Sequence, residues 1–343
     1  MIASILIFSS VCLYPGADPS PKYVLKSAET RRIEAVLTYE IKMPKLIAQE
    51  WIIYAAKAPE LPNQTHVSTS LEPEGKASFE LSPEHRLVMM AKVSGQNGRG
   101  NELTIRVKYE ATLCSRELVP LKRGRDTGTV EPLSKAARQG ALELGGDFDW
   151  KSEPVQKWVR DHRLHRDKGE SDVDFARRVF LTIKKNFAYE YKSEMNRHAS
   201  AVCKAAKSDC GGLSQLLVTI LRGNDIPSRT LEGRWAQSSK PKELVGELPY
   251  YQTHVKAEFF ANGVGWVPVD VANAQKRGDG LNSFGRDPGD FLTLHVNPNL
   301  RLDSIHFGKQ VIDSLQGPAY WVTGQGSVKP TETHEKWEVR TIR

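Results

Sequence analysis

Hydrophobic period changes twice along this chain, and that change limits the folds open to it more than any other feature. Ile33, Ala35, Leu37, Tyr39 and Ile41 alternate with polar neighbours, and Leu103, Ile105, Val107, Tyr109, Ala111 and Leu113 repeat the alternation over a longer run. A period of two puts every second side chain on one face, so each run predicts a half-buried strand. Residues 51–56 and 86–93 are further apolar runs, set off by the turn-forming segments 59–63 and 95–101. Short strands punctuated by Pro, Asn and Gly predict an antiparallel β-sandwich over residues 25–118.

Residues 119–150 carry Gly124, Gly128, Pro132, Gly140, Gly145 and Gly146 among mixed charges. They read as a linker holding a short helix. The period then becomes 3.6. Helical spacing begins at 155–159 and is clear over 172–187, where Phe175, Val179, Phe180 and Ile183 follow Ser171 as N-cap. The strongest helix comes next: Leu213, Leu216, Leu217, Ile220 and Leu221 stand at i, i+3, i+4, i+7 and i+8, with Ser208 or Asp209 to cap it and Gly223 to stop it. Strands return at 229–235, 253–260 and 266–271. The whole reads as α+β, with a second domain over 151–343 behind the sandwich.

Cys210 opens the strongest helix, in Ser-Asp-Cys-Gly-Gly-Leu-Ser. A thiol in a first turn faces unsatisfied N–H groups and the positive end of the helix dipole, both of which favour thiolate. The two glycines behind it leave room for a substrate backbone. Taken alone, such a cysteine is as often inert packing. A nucleophile needs a base, and the base an orienting group. His254 lies on the polar side of its strand, opposite the face of Val255, Ala257 and Phe259. The next strand follows Ala-Asn-Gly-Val-Gly, a hairpin turn. Closing Phe260 against Val264 sets Asp270 directly across from His254, within reach of a hydrogen bond. A loop of even length would turn Asp270 to the other face.

These residues, with Gly-Asn-Asp-Ile-Pro-Ser-Arg, Leu-Glu-Gly-Arg-Trp, Thr-His-Val-Lys-Ala-Glu-Phe-Phe and Gly-Trp-Val-Pro-Val-Asp, resemble the core of the transglutaminase-like superfamily over residues 172–271. The resemblance implies a papain-like catalytic domain with Cys210 as nucleophile, His254 as base and Asp270 as orienter. It implies acyl transfer through a thioester, hence a thiol-dependent amide or peptide hydrolase. The alternatives are a transglutaminase that forms isopeptide crosslinks and a catalytically silent binding module; the three residues argue against the last. Val255 stands where family members frequently carry an aromatic residue. The Cys210 N–H is the expected oxyanion donor, with Tyr189, Tyr191 and Asn196 as guesses for a second. No cofactor or metal is implied.

With 39% hydrophobic and 26% charged residues among 343, the composition excludes a disordered chain, a collagen-like repeat and a disulfide-rich miniature. Nothing in the sequence points to a nucleic-acid partner, and the expected partner is a protein or peptide substrate. The net charge of +7 is uneven: residues 177–207 hold eight Lys or Arg against Glu190 and Glu194. That stretch is read either as solvated helix faces or as a field supporting the thiolate. Residues 1–13 are mostly apolar, too few to span a bilayer, and with Pro15, Gly16 and Ala17 behind them predict a signal peptide over 1–20 and export. Cleavage leaves Cys114, Cys203 and Cys210, an odd number; a Cys114–Cys203 bridge is the less favoured alternative to free thiols. His295 and His306 lack ligand-spaced partners and read as core or surface residues. Trp235 and Trp266 line either an acyl-donor cleft or the core.

Overall fold

The computed structural model describes residues 22–95, 100–121, 130–277 and 280–343, so the expected signal peptide lies outside the described residues. Six strands come first: β1 (Tyr23–Lys42), β2 (Leu46–Ala56), β3 (Gln64–Glu72), β4 (Lys76–Phe79), β5 (Leu87–Ser94) and β6 (Glu102–Pro120). β6 pairs antiparallel with both β1 and β3, and β5 with both β2 and β4, giving two sheets over one core. The alternating residues behave as their period requires: Ile33, Ala35 and Leu37 from β1 and Ile105, Val107 and Tyr109 from β6 are buried.

Among the described residues six α-helices follow: α1 (Lys135–Gly140), α2 (Glu153–Asp161), α3 (Asp172–Asn186), α4 (Ala199–Ala205), α5 (Cys210–Gly223) and, later in the chain, α6 (Val271–Arg277). Ser171 caps α3 by accepting the Asp174 N–H at 3.1 Å. α1 is the short helix expected between the domains, but its surroundings are no free linker. Ala141 accepts a backbone bond from Ser228, and Phe148 belongs to the helical core. α5 is buried along its length against a sheet of β7 (Ser228–Trp235), β8 (Thr253–Ala261), β9 (Gly265–Val269) and β10 (Phe291–Val296), in the order β9–β8–β7–β10. Leu213, Leu216, Leu217 and Ile220 share a core with Ala257, Phe259, Val267 and Val269. Gly223 ends α5 for a reason other than chain reversal. Trp150 lies so close that a Cβ there would sit 2.3 Å from its ring, while Asp225 takes the left-handed conformation at φ 61°.

One glycine in this sheet is obligatory. A Cβ on Gly233 would stand 2.0 Å from the Leu292 carbonyl of the neighbouring strand. Gly233→Ala is expected to push β7 and β10 apart and cost about 1–3 kcal/mol in urea denaturation; an unchanged midpoint would show that the strands separate freely.

The last two strands correct the expected boundary of the catalytic domain. β11 (Ala319–Gly326) pairs with β2, and β12 (Glu332–Ile342) pairs with β1, setting Leu37 opposite Trp337. Trp337 is fully buried in the sandwich core. Residues 319–342 therefore complete the N-terminal sheets rather than the domain expected over 151–343. Their pairing covers what would otherwise be the open edges of β1 and β2.

Arg116 ties the two parts together. It is fully buried on β6 and donates to Glu258 of β8 at 2.6 Å and to Asp287 at 3.4 Å. Arg229 joins Glu258 at 2.6 Å, and Lys256 joins Asp287 at 3.4 Å. Cys114 is buried and free, and Cys203 is a free thiol on α4, so the bridge between them is not formed.

Candidate active site

Cys210 is the first residue of α5, as its sequence context predicts. Asp209 is the N-cap: its Oδ1 accepts the Gly212 N–H at 3.1 Å, and its Oδ2 accepts from Arg197 Nη2 at 2.6 Å and Nε at 2.8 Å. Of the two glycines, Gly211 lines the cleft of Cys210 and Gly212 is packed away from it. A Cβ on Gly212 would stand 2.1 Å from Ser208 Oγ, and one on Gly211 3.0 Å from the Arg197 side chain. They allow close packing at the helix start.

The hairpin carrying His254 and Asp270 closes one residue later on each strand than expected, with Ala261 opposite Gly265. Val264 N–H donates to the Ala261 carbonyl, and Gly263 supplies the positive φ of 70° in between. The loop keeps its odd length, so Asp270 keeps its face. It lies diagonal to His254 instead of directly across, and the side chains bridge the offset: His254 Nε2 and Asp270 Oδ2 are 2.9 Å apart. Asp270 Oδ1 accepts the Asn273 N–H at 2.8 Å, fixing the carboxylate at the start of α6. Burial works to raise Asp270, but His254, Lys256 and the Asn273 N–H hold it below the usual carboxylate range.

The imidazole is clamped from other sides. Trp235 stacks on it with ring centroids 4.6 Å apart, and Phe291 meets it edge-on at 6.1 Å. Gln316 donates to the carbonyls of His254 and Gly233 at 2.6 and 2.7 Å. Trp235 is thus a wall of the histidine, whereas Trp266 packs under the Arg229 guanidinium at 3.9 Å.

Cys210 and His254 line one cleft of about 430 Å³, together with Tyr189, Tyr191, Asn196 and Tyr250. The electrostatics correct the expectation of a thiolate preformed by the helix. Burial raises the Cys210 thiol above its ordinary value, and the carboxylates of Asp209, Glu232 and Asp270 add to the shift; a backbone hydrogen bond from Val255 opposes it. Desolvation and these carboxylates act against the thiolate that the helix start favours. Part of the basic stretch before the cysteine is answered locally: Arg178 pairs with Glu170, and Lys192 and Lys207 with Glu190. Arg197 alone of these eight cations lines the cleft, held by Asp209.

His295 is buried, accepting the Leu315 N–H at Nε2, and His306 is a surface partner of Glu50. Arg197, Glu232 and Gln316 were not singled out from sequence. Alternation alone assigns Thr230, Glu232 and Arg234 to a solvent face, but α5 and the chain around residue 316 cover that face.

The segment 163–271 matches the sequence profile of the Transglutaminase-like superfamily. No curated protein matches the chain. In fold the chain is similar to a candidate cysteine protease from Cytophaga hutchinsonii, at 12% identity over 93% of each chain and a TM-score of 0.53. The periplasmic domain of TgpA from Pseudomonas aeruginosa aligns at 12% identity over 72% of this chain and 92% of that one, with a TM-score of 0.36. Red sea bream transglutaminase aligns at 10% identity over 80% and 61%, with a TM-score of 0.31. Among the described residues no helix is long and apolar enough to cross a membrane.

Proposed function

Residues 163–271 belong to the transglutaminase-like superfamily, and from that premise we propose that the chain is an exported thiol-dependent amide or peptide hydrolase working through Cys210, His254 and Asp270. The observation that carries this reading is the buried 2.9 Å bond between His254 Nε2 and Asp270 Oδ2, in a cleft shared with a cysteine at a helix N-terminus. Export is supported by the apolar residues 1–13.

Asp270 accepts the Nε2 proton, so the lone pair of His254 sits on Nδ1. The Cys210 thiol passes its proton there, and sulfur attacks the substrate carbonyl carbon. The first-turn N–H of Cys210 stabilises the oxyanion. As the C–N bond breaks, His254 returns the proton to the leaving amine, and a thioester remains on sulfur. Water then attacks the thioester, giving its proton to Nδ1, and the thiol and a carboxylic acid are released. Because burial disfavours a free thiolate, transfer to His254 is what makes the sulfur nucleophilic.

Iodoacetamide labelling followed by peptide mass analysis tests this directly. Cys210 is expected to react at least about tenfold faster than Cys203, whose thiol is pushed up to about 12 by burial and Asp149 and which does not line the cleft of His254. Peptide cleavage is expected to vanish in Cys210→Ala. Equal labelling of the two cysteines, or cleavage that survives the substitution, would remove the nucleophile from the proposal.

A further inference from the structure

Seven carboxylates in the described residues are buried: Glu80, Asp172, Asp209, Glu232, Glu258, Asp270 and Asp287. Five of them meet an arginine or lysine, and Asp270 meets the His254 imidazole. Glu80 pairs with Arg86, Asp172 with Arg166, Asp209 with Arg197, Glu258 with Arg116, Asp270 with His254 and Asp287 with Lys256. Glu232 is the exception. It is 3% exposed, lines the cleft of Cys210, and its recorded partners are two hydroxyls, Thr230 Oγ1 at 3.2 Å and Ser314 Oγ at 3.3 Å.

A second orphan lines the same cleft. Gln215, on α5 and also 3% exposed, has its Oε1 buried with no hydrogen-bond partner. A buried acceptor left unmade costs about 1–3 kcal/mol, which a ligand donor would recover. The exposed Asp313, next to Ser314, adds a third acceptor at the cleft. Arg197, which lines the same cleft, makes its ion pair with Asp209.

We propose that this part of the cleft seats a cationic group of the substrate, an ammonium or guanidinium on a residue flanking the reacting amide, with Glu232 as counter-charge and Gln215 as second acceptor. The inference rests on the acyl-transfer reading and names its substrate class. Cations of this kind carry several N–H donors, matching a site that offers acceptors. The surroundings of Glu232 fit the role. Thr230 lies on its own strand, Ser314 donates to it at 3.3 Å, and of the charged groups in the cleft Arg197 acts to lower it and Asp209 to raise it. Burial pushes Glu232 up to about 7, so a bound cation draws out its charged form near neutral pH. The same cation offsets the opposition of Glu232 to the Cys210 thiolate, so basic substrates gain in turnover as well as in binding.

The test uses peptides identical except for Lys, Arg, norleucine or Glu at either residue flanking the scissile amide. Binding is measured on Cys210→Ala by calorimetry at pH 8, and turnover on the wild-type protein. Lys or Arg is expected to be favoured over norleucine by at least about tenfold at one of the two positions. Glu232→Gln is expected to bring the ratio below about threefold. Gln215→Leu, which removes an unpaired buried acceptor and so keeps the fold, is expected to lower it too. No preference in the wild type, or one that both variants retain, overturns the inference. Preference in binding without turnover by the wild type would leave the cation site standing and sink the hydrolase; turnover of all peptides alike would do the reverse.

Discussion

Asp270→Asn is expected to lower kcat by about 10³–10⁴-fold while leaving the fold intact. The carboxylate has two tasks, each fixed by a separate oxygen: Oδ2 faces His254 Nε2 and Oδ1 accepts the Asn273 N–H. An asparagine that keeps the cap with its single oxygen must turn its NH₂ toward the imidazole. Nε2 then becomes an acceptor and Nδ1 carries the proton, the wrong tautomer to receive one from Cys210. Alkylation of Cys210 is expected to slow in parallel, because the same transfer generates the thiolate. A variant with a wild-type melting curve and kcat within tenfold of the parent would show that Asp270 is no orienter.

Arg116→Met is expected to destabilise the protein by about 3 kcal/mol, the lower end of what breaking a buried pair costs. Glu258 keeps Arg229 and Asp287 keeps Lys256, so neither carboxylate is left without a cation. The loss should depend on pH with a defined sign. Burial works to raise both carboxylates, but Arg229 and Arg116 at Glu258, and Lys256 and Arg116 at Asp287, hold them below their ordinary values. Their contribution is present at neutral pH and disappears as pH falls through those lowered values, so wild type and variant should converge in strong acid. Urea denaturation at pH 7 and pH 3 measures both. Equal stability at pH 7 would mean that the sandwich and the His254 strand are joined by apolar packing alone.

Much of the fold is legible locally because the relevant signals are short-range. The alternation of β1 and β6, the cap at Ser171 and the apolar stripe from Leu213 to Leu221 each reflect one element burying one face. The odd length of the Ala261–Gly265 turn is legible too, and it alone keeps Asp270 on the face of His254. What was not legible depends on distant chain. β12 is a polar-rich strand whose partner β1 begins some three hundred residues earlier, so no neighbouring pattern announces the pairing.

For the candidate site, residue types and spacing by themselves determined Cys210 at a helix start, His254 on a strand and Asp270 after the following turn. Only the tertiary structure decided how these groups are poised. The diagonal contact replaced the direct one because the turn closes one residue later on each strand; the paired strand β7 brought Trp235 onto the imidazole, and a distant loop brought Gln316 to the His254 carbonyl. The groups that act on the cysteine were set there as well. A helix terminus favours thiolate as a local rule, but burial and nearby carboxylates, which belong to the assembled fold, act against it. The unpaired Glu232 follows from the same cause: alternation places it on one face of a strand, and only the elements packed on that face make it a buried charge facing a cleft.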